Sequence, residues 1–575
     1  MGTDSSEAGT ATQFDVVVVG SGFGGSVTAL RLTEKGYRVA VLEAGRRFGP
    51  NDFPKTNWNL RRFLFVPRLG MRGIQRINLL SDVMVLSGAG VGGGSLVYAN
   101  TLYEPLNAFY DDRQWAALAD WRAELAPHYE LAKRMLGVTP APDNSPNDAV
   151  IRELGERLGV ADTYRATDVG VYLGTPGVVV ADPYFGGAGP DRTGCNQCGG
   201  CMIGCRYGAK NTLDRNYLYL AERAGARVFA DTEVTDLVPR RGGGYEVRTC
   251  RPGVRQRETR CFSADQVVFS AGVLGTVRLL AGLKERGRLP KLSNRLGELV
   301  RTNSESILGA SASADSAADY STGVAISSSI YPNEHTHVEG VRYPAGSNAM
   351  GLLATLLVDG GGRVPRQLRF AGEVLRHPVR FLKSLSVRKW SQRTVILLVM
   401  QSGDNSLNLR WRNRRGRVRL RSEQGTGAPN PTFIPEAVDA ARKAAQIMGG
   451  DAFGSINEAL LDVPVTAHIL GGCVIGADAA SGVIDGYQRV FGCPGLHVAD
   501  GSAISANLGV NPSLTITAQT ERAMSFWPNR GEPDKRPPLG APYEATDPTF
   551  PNAPAVPVGA PAEMRRHTPT DTATA

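Results

Sequence analysis

The chain has 575 residues, roughly three to four times a usual domain length, so it can bury a large core and is expected to fold as two or more domains. No run of eighteen apolar residues occurs, which argues against a membrane-spanning helix. The polar opening MGTDSSEAGTATQF has neither an apolar core nor a twin arginine, which argues against a signal peptide. The expected location is the cytoplasm, where clustered cysteines are metal ligands or redox groups more often than structural disulfides.

Residues 1–13 are polar and expected to be disordered. The strongest local signal follows in DVVVVGSGFGGSVTALRLTEKGYRVAVLEAG. An apolar β-branched run, Val16 to Val19, leads into Gly20, Gly22 and Gly25, then into a helical pattern and a second strand ending at Glu43. In such a unit the first glycine permits a tight turn, the second lets the backbone approach a pyrophosphate, and the third packs helix on strand. The helix N-terminus offers N–H groups to phosphates, and an acid about twenty residues on can accept hydrogen bonds from ribose hydroxyls. Strand, helix, strand and acid in register predict dinucleotide binding, but the motif alone does not choose between FAD and NAD.

A second glycine cluster stands in SGAGVGGGSLVYANTLYEP, residues 87–105, where Gly92, Gly93 and Gly94 are too flexible for a helix interior. Next comes CNQCGGCMIGCRYGAK, residues 195–210, with four of the eight cysteines. Cys195, Cys198, Cys201 and Cys205 have the C-x2-C-x2-C-x3-C spacing of ferredoxin ligands, although Arg206 replaces the usual proline. An iron–sulfur cluster, a metal-free thiol-lined turn, zinc and disulfides all remain open.

The net charge of +9 is unevenly spread: between Arg363 and Arg393 nine Arg or Lys face one acid, Glu373. Leu368, Val374, Leu375, Phe381, Leu382 and Leu385 alternate with those charges. Such a segment is either a solvated helical hairpin or a peripheral membrane contact through 363–393. Nucleic acid is not an expected partner, because nothing else resembles a nucleic-acid module. After about residue 529 the chain is proline-dense and reads as an extended, disordered tail.

Three blocks choose the cofactor. SGAGVGGGSLVYANTLYEP resembles the second flavin-contacting segment of the glucose-methanol-choline (GMC) oxidoreductases, and VVFSAGVLGTVRLL and AHILGGCVIG, the latter followed by GLHVADGSAISANLGVNPSLTITAQTER, resemble the same family in its order. The last block is most similar to the family's bacterial sterol-oxidising branch. The resemblance implies FAD. It implies an α/β fold in which a Rossmann-like FAD-binding domain (14–105, 206–300 and 465–528) is interleaved with an α+β substrate domain built on an antiparallel sheet (106–205 and 301–464), followed by the tail 529–575.

Carried over residue by residue, the resemblance assigns Gly20, Phe23 and Glu43 to the ADP half and the Val234 backbone to the adenine. Gly94, Tyr98, Ala99 and Asn100 would border the isoalloxazine ring, although the sterol-oxidising branch tends to have Asn-Gly in place of Tyr98-Ala99. Asp500 and Gly501 would meet the ribityl-phosphate region, and the backbone near Ser513 the pyrimidine edge. Some sugar dehydrogenases of the family carry a three-iron cluster in a related cysteine-rich segment.

Oxidation of an alcohol sends a hydride to the flavin and needs a proton acceptor beside the hydroxyl, a task suited to histidine. Of seven histidines, His468 alone sits in a matching motif, and Asn511 would hold the substrate oxygen. Enzymes of the sterol branch also move a proton across a Δ5-3-ketone with a glutamate before a PAG triplet, which marks Glu339 as the isomerisation base. The expected reaction is oxidation of a 3β-hydroxysteroid such as cholesterol to the 3-ketone, with Δ5 to Δ4 isomerisation. The alternatives are a dehydrogenase of another alcohol that passes electrons to a carrier instead of oxygen, and a flavoprotein without alcohol chemistry, against which His468 and Asn511 both speak.

Overall fold

The computed structural model describes residues 12–253, 259–313, 315–414 and 417–565. Of the expected disordered N-terminus, residues 1–11 lie outside the described residues, while Thr12 and Gln13 already belong to the first strand, β1 (Thr12–Val19). The glycine turn then leads into helix α1 (Phe23–Glu34) and strand β2 (Val39–Leu42). β1 is parallel to β2, with Val16 opposite Val39 and Val19 opposite Leu42. Such a pairing needs a crossover, and α1 supplies it.

β1 and β2 lie in a seven-stranded sheet with Arg227–Phe229 beyond β2 and Thr259–Phe269 on the other side of β1. The eleven-residue strand Thr259–Phe269 has two roles. Its second half runs parallel to β1 and to Leu496–Val498, and its first half carries an antiparallel meander, Tyr245–Cys250 and Glu233–Pro239. The inner strands are apolar on both faces because helices cover both sides; all six residues of Val16–Val19 and their flanks Phe14 and Asp15 are buried.

The second sheet also has seven strands and is antiparallel throughout: Ala354–Leu356, Gly450–Ser455, Ser306–Ala312, Thr394–Gln401, β3 (Thr336–Val341), Ile326–Asn333 and Arg165–Ala166. The two-residue period sorts its side chains. Leu308, Val338, Val395 and Leu397 pack under helices Pro146–Leu158 and Pro435–Ile447. Ile326, Val341, Ile396 and Leu398 point to the opposite face, toward the first domain. The α/β class, the Rossmann-like unit and the antiparallel substrate sheet therefore stand as expected.

Three boundaries differ from the sequence reading. Helix Trp121–Leu136 and the hairpin Leu407–Arg414/Arg417–Gln424, both assigned to the substrate domain, share the core of the dinucleotide sheet through Trp121, Leu125, Leu407 and Leu409. Their apolar periodicity was visible, but periodicity does not say which core a face will join. The expected disordered tail is also corrected: residues 529–565 contain no helix or strand, yet they lie against the body with Val556 and Ala562 buried. The Tyr543 hydroxyl donates to Glu124, and the Ala555 N–H donates to Glu34 Oε1 at 2.8 Å. Proline blocks regular pairing, but Pro, Ala and Val side chains can be buried without it. Residues 566–575 lie outside the described residues.

Candidate active site

The glycine turn forms one end of a cavity of about 1450 Å3. Gly20 has φ 102°, and a Cβ there would fall 2.2 Å from the Ser270 carbonyl oxygen; one on Gly25 would fall 2.1 Å from that of Gly20. Helix and turn therefore touch backbone to backbone. At Gly22, on the cavity wall, a Cβ would meet only open space. No side chain caps α1, so its first-turn N–H groups are left for an anion in the cavity.

Glu43 lines this end, but its carboxylate is also a structural tie: Oε2 accepts the Ser21 N–H at 3.1 Å and the Ser21 hydroxyl at 2.8 Å, and Oε1 accepts the Gly45 N–H at 2.7 Å. Val234 lines the cavity further out, beside Arg76 and Arg278, two guanidiniums the sequence reading missed. Burial, and secondarily the charge of Arg76, lowers the Arg278 pKa. Phe23, Gly94, Tyr98 and Ala99 line the middle, with Asp500, Gly501 and Ser513 on the facing wall.

The other end is apolar, walled by Ile307, Ile326, Val341, Trp390, Leu398 and Phe453. His468 and Asn511 enter here from the loops after Val465–Thr466 and before helix Ser513–Ser525. The Asn511 amide nitrogen lies 3.4 Å from His468 Nε2 and donates to Glu339 Oε2 at 3.3 Å. Glu339 shares the parity of Val341 on β3, so strand alternation turns it toward the cavity. It stands behind Asn511, fully buried. Burial pushes its pKa up to about 8, the Asn511 hydrogen bond opposes that rise, and the charge of Glu305 adds to it.

Glu305, fully buried just before Ser306–Ala312, was not found from the sequence. Its Oε1 is in close contact with His468 Nδ1, and its Oε2 accepts the Ala467 N–H at 2.6 Å. A carboxylate at Nδ1 keeps the hydrogen on that nitrogen and leaves Nε2 as the acceptor facing Asn511 and the cavity. Nothing in RTNSESILGA carries a motif, so no spacing rule could have flagged it.

Six expected site residues are placed differently. Gly25 lies beneath the turn and Asn100, at φ 73°, is buried behind the cavity wall, its side chain facing Cys201. The cysteines are not at the flavin cavity: Cys195, Cys198, Cys201 and Cys205 line a separate cleft of about 20 Å3.

Models of the GMC oxidoreductase family match residues 188–291 and 412–520, and that of an NAD(P)-binding Rossmann-like domain matches 18–75. A cholesterol oxidase of Mycobacterium tuberculosis (strain ATCC 25618 / H37Rv) is 54% identical over 566 residues, 96% of this chain and 97% of that protein. The chain belongs to the GMC oxidoreductase family. A cholesterol oxidase of Acinetobacter baumannii is 45% identical over 90% of this chain and 94% of its own length. The crystal structure of formate oxidase superposes with a TM-score of 0.56 at 14% identity, covering 90% of this chain and 98% of its own, a likeness of fold.

As a member of this family the protein is an FAD-dependent alcohol oxidoreductase. The residues fit that cofactor: the uncapped helix start, the open space at Gly22 and the two guanidiniums near Val234 suit its phosphates and adenosine, in a cavity continuous with His468. The iron–sulfur and zinc readings of the cysteines are corrected. Among the described residues no group of three or more His, Cys, Asp or Glu side chains is placed to hold a metal ion. The four thiols share the rim of a cleft, and the described side chains around it complete no such group.

Proposed function

We propose that this GMC oxidoreductase oxidises the 3β-hydroxyl of a sterol such as cholesterol to the 3-ketone, passes the electrons to oxygen, and isomerises the Δ5-ketone to the Δ4-ketone. The observation that carries the proposal is that His468 and Asn511 meet at the apolar end of the cavity with Glu339 buried directly behind Asn511. The cholesterol oxidases that match nearly the whole chain support it.

FAD, when bound, accepts the hydride. His468 Nε2, whose lone pair faces the cavity when Glu305 holds the hydrogen on Nδ1, takes the hydroxyl proton. The Asn511 side chain holds the substrate oxygen, and its Oδ1, buried without a partner, is free to accept from it. Apolar walls match a tetracyclic body and exclude water. Gly20, Gly22, Phe23 and Glu43 would hold the ADP half, Val234 the adenine, Gly94, Tyr98 and Ala99 the ring, and Asp500, Gly501 and Ser513 the ribityl and pyrimidine parts. Anaerobic mixing with a panel of sterols, alkanols and sugars tests the substrate class: sterols should bleach the flavin fastest, and reduction by sugars alone would overturn the reading. Reoxidation by oxygen as fast as turnover is expected; a requirement for an artificial acceptor would point to a carrier-linked dehydrogenase.

Replacing Glu305 by Gln should lower the rate of flavin reduction roughly 10- to 100-fold, because the imidazole loses the partner that sets its tautomer. Flavin content should not change. An unaltered reduction rate would remove Glu305 from the mechanism.

The peripheral membrane contact through 363–393 is part of the proposal. No described helix is long and apolar enough to cross a membrane. Helices α2 (Arg366–Arg376) and α3 (Pro378–Ser384) expose Leu368, Leu375, Val379 and Leu382 beside Arg376, Arg380 and Lys383. Exposed Leu352 and Leu353 adjoin, and Leu353 also lines the cavity. Apolar side chains among cations suit an anionic bilayer. In liposome sedimentation the protein should pellet with vesicles containing anionic lipid, and Leu375→Ser/Leu382→Ser should reduce the pelleted fraction several-fold. Equal recovery in the supernatant with and without anionic lipid would remove the contact.

A further inference from the structure

The cysteine cleft has no part in the reaction above, yet it is built on the back of the flavin cavity. Lys210, 1% exposed, donates from Nζ to the carbonyls of Tyr98 at 2.9 Å, Leu96 at 3.2 Å and Cys201 at 2.8 Å. One buried ammonium thus joins the cysteine loop to the segment that walls the middle of the cavity. Cys201 opens a short 3-10 turn, Cys201–Ile203, and its thiol faces the Asn100 side chain from the same segment.

Cys198 and Cys201 are separated by Gly199 and Gly200, and the loop requires glycine at the first of them. Gly199 has φ 69°, with its Cβ position 2.4 Å from the Ser321 carbonyl oxygen, and a Cβ on Gly200 would fall 3.2 Å from Cys198 Sγ. The loop is pinned on Gly323 by two backbone hydrogen bonds, Gly199 N–H to the Gly323 carbonyl at 2.8 Å and Gly323 N–H to that of Gln197 at 2.7 Å. Of the four thiols only Cys198 is exposed, and Cys201, partly covered, lines the same cleft. An exposed thiol with a covered one three residues further on is the arrangement of an attacked and a resolving cysteine, and because burial raises the Cys198 pKa the attack quickens as pH rises.

We infer that Cys198 and Cys201 form a reversible dithiol–disulfide site that peroxide oxidises and that the flavin environment registers through Lys210. Peroxide is the product when oxygen accepts the electrons, so the inference rests on the oxidase reading for its source of oxidant. In the step, the Cys198 sulfur attacks peroxide, the O–O bond breaks, and one water leaves with a sulfenic acid on Cys198. The Cys201 sulfur then displaces the second water and the S–S bond forms. Two thiols are oxidised, one peroxide is reduced, and both thiol protons end in water. The disulfide would move the Cys201 carbonyl and therefore the ammonium that also holds residues 96 and 98.

The test uses FAD-loaded enzyme and added hydrogen peroxide without sterol, so that its failure is separate from any failure of the oxidase reading. Alkylatable cysteines, counted by mass spectrometry after denaturation, should fall from eight to six. Fragmentation of the tryptic peptide 193–206, which contains all four loop cysteines, should place the link at 198–201. The visible circular dichroism of the bound flavin should shift, and dithiothreitol should reverse both changes. Cys198→Ser and Cys201→Ser should each abolish the link and the shift, while Cys195→Ser keeps them. Eight alkylatable cysteines after peroxide, a link that excludes Cys198 or Cys201, or a link with an unchanged flavin spectrum would each overturn the inference.

Discussion

His468→Ala loses about 10²- to 10⁴-fold in the rate of flavin reduction by sterol and keeps its flavin, the loss expected when a general base is removed. The base cannot be replaced locally: the neighbouring Asn511 amide has no proton affinity, and Glu339, with its pKa at about 8, is largely protonated at neutral pH. The substitution also leaves Glu305 buried opposite a void. His468→Gln separates the two effects, since its amide can still donate to Glu305 but is no base. Both variants should be equally slow by anaerobic stopped flow, with protein-bound flavin unchanged. A wild-type reduction rate in either would refute the assignment.

Glu339→Gln lets the Δ5-3-ketone accumulate while alcohol oxidation changes no more than a few-fold. The amide keeps an acceptor for the Asn511 N–H but cannot carry a proton from one ring carbon to another. Chromatography of the products against time checks this, and a Δ4-ketone formed at the original rate would place the base elsewhere. The pH dependence has a definite sign. Burial raises the Glu339 pKa from 4.5 to about 8, so the ionised base becomes the major form only as pH rises through about 8. Isomerisation in the wild type should therefore increase between pH 7 and 9. Stability should move the other way: a raised carboxyl pKa gives a contribution fully present below 4.5 and lost as pH rises through about 8. Glu339→Gln should flatten both.

The cofactor half was legible because its physics is local. A glycine turn, a helix start and an acid at the end of the next strand must follow one another closely in the chain, and Gly20, Gly22 and Glu43 do so. His468 and Asn511 stand out as candidates through short motifs within one C-terminal stretch, and Glu339 through its place before Pro344. The tail was misread for a related reason: composition predicts whether a segment can form regular structure, while burial of Val556 and Ala562 depends on the surface it meets.

The sequence by itself determined the family, the flavin fold and the alcohol chemistry, and it marked His468, Asn511 and Glu339 as candidates for that chemistry. Only the tertiary structure decided that Glu305 stands at Nδ1 of His468, that Asn511 bridges His468 and Glu339, and that Lys210 binds the cysteine loop to the wall of the flavin cavity. Each of these contacts joins segments distant in the chain. Their partners are set by the packing of one sheet face against another domain, and the two-residue alternation of a strand reveals that a face exists without revealing what it will meet.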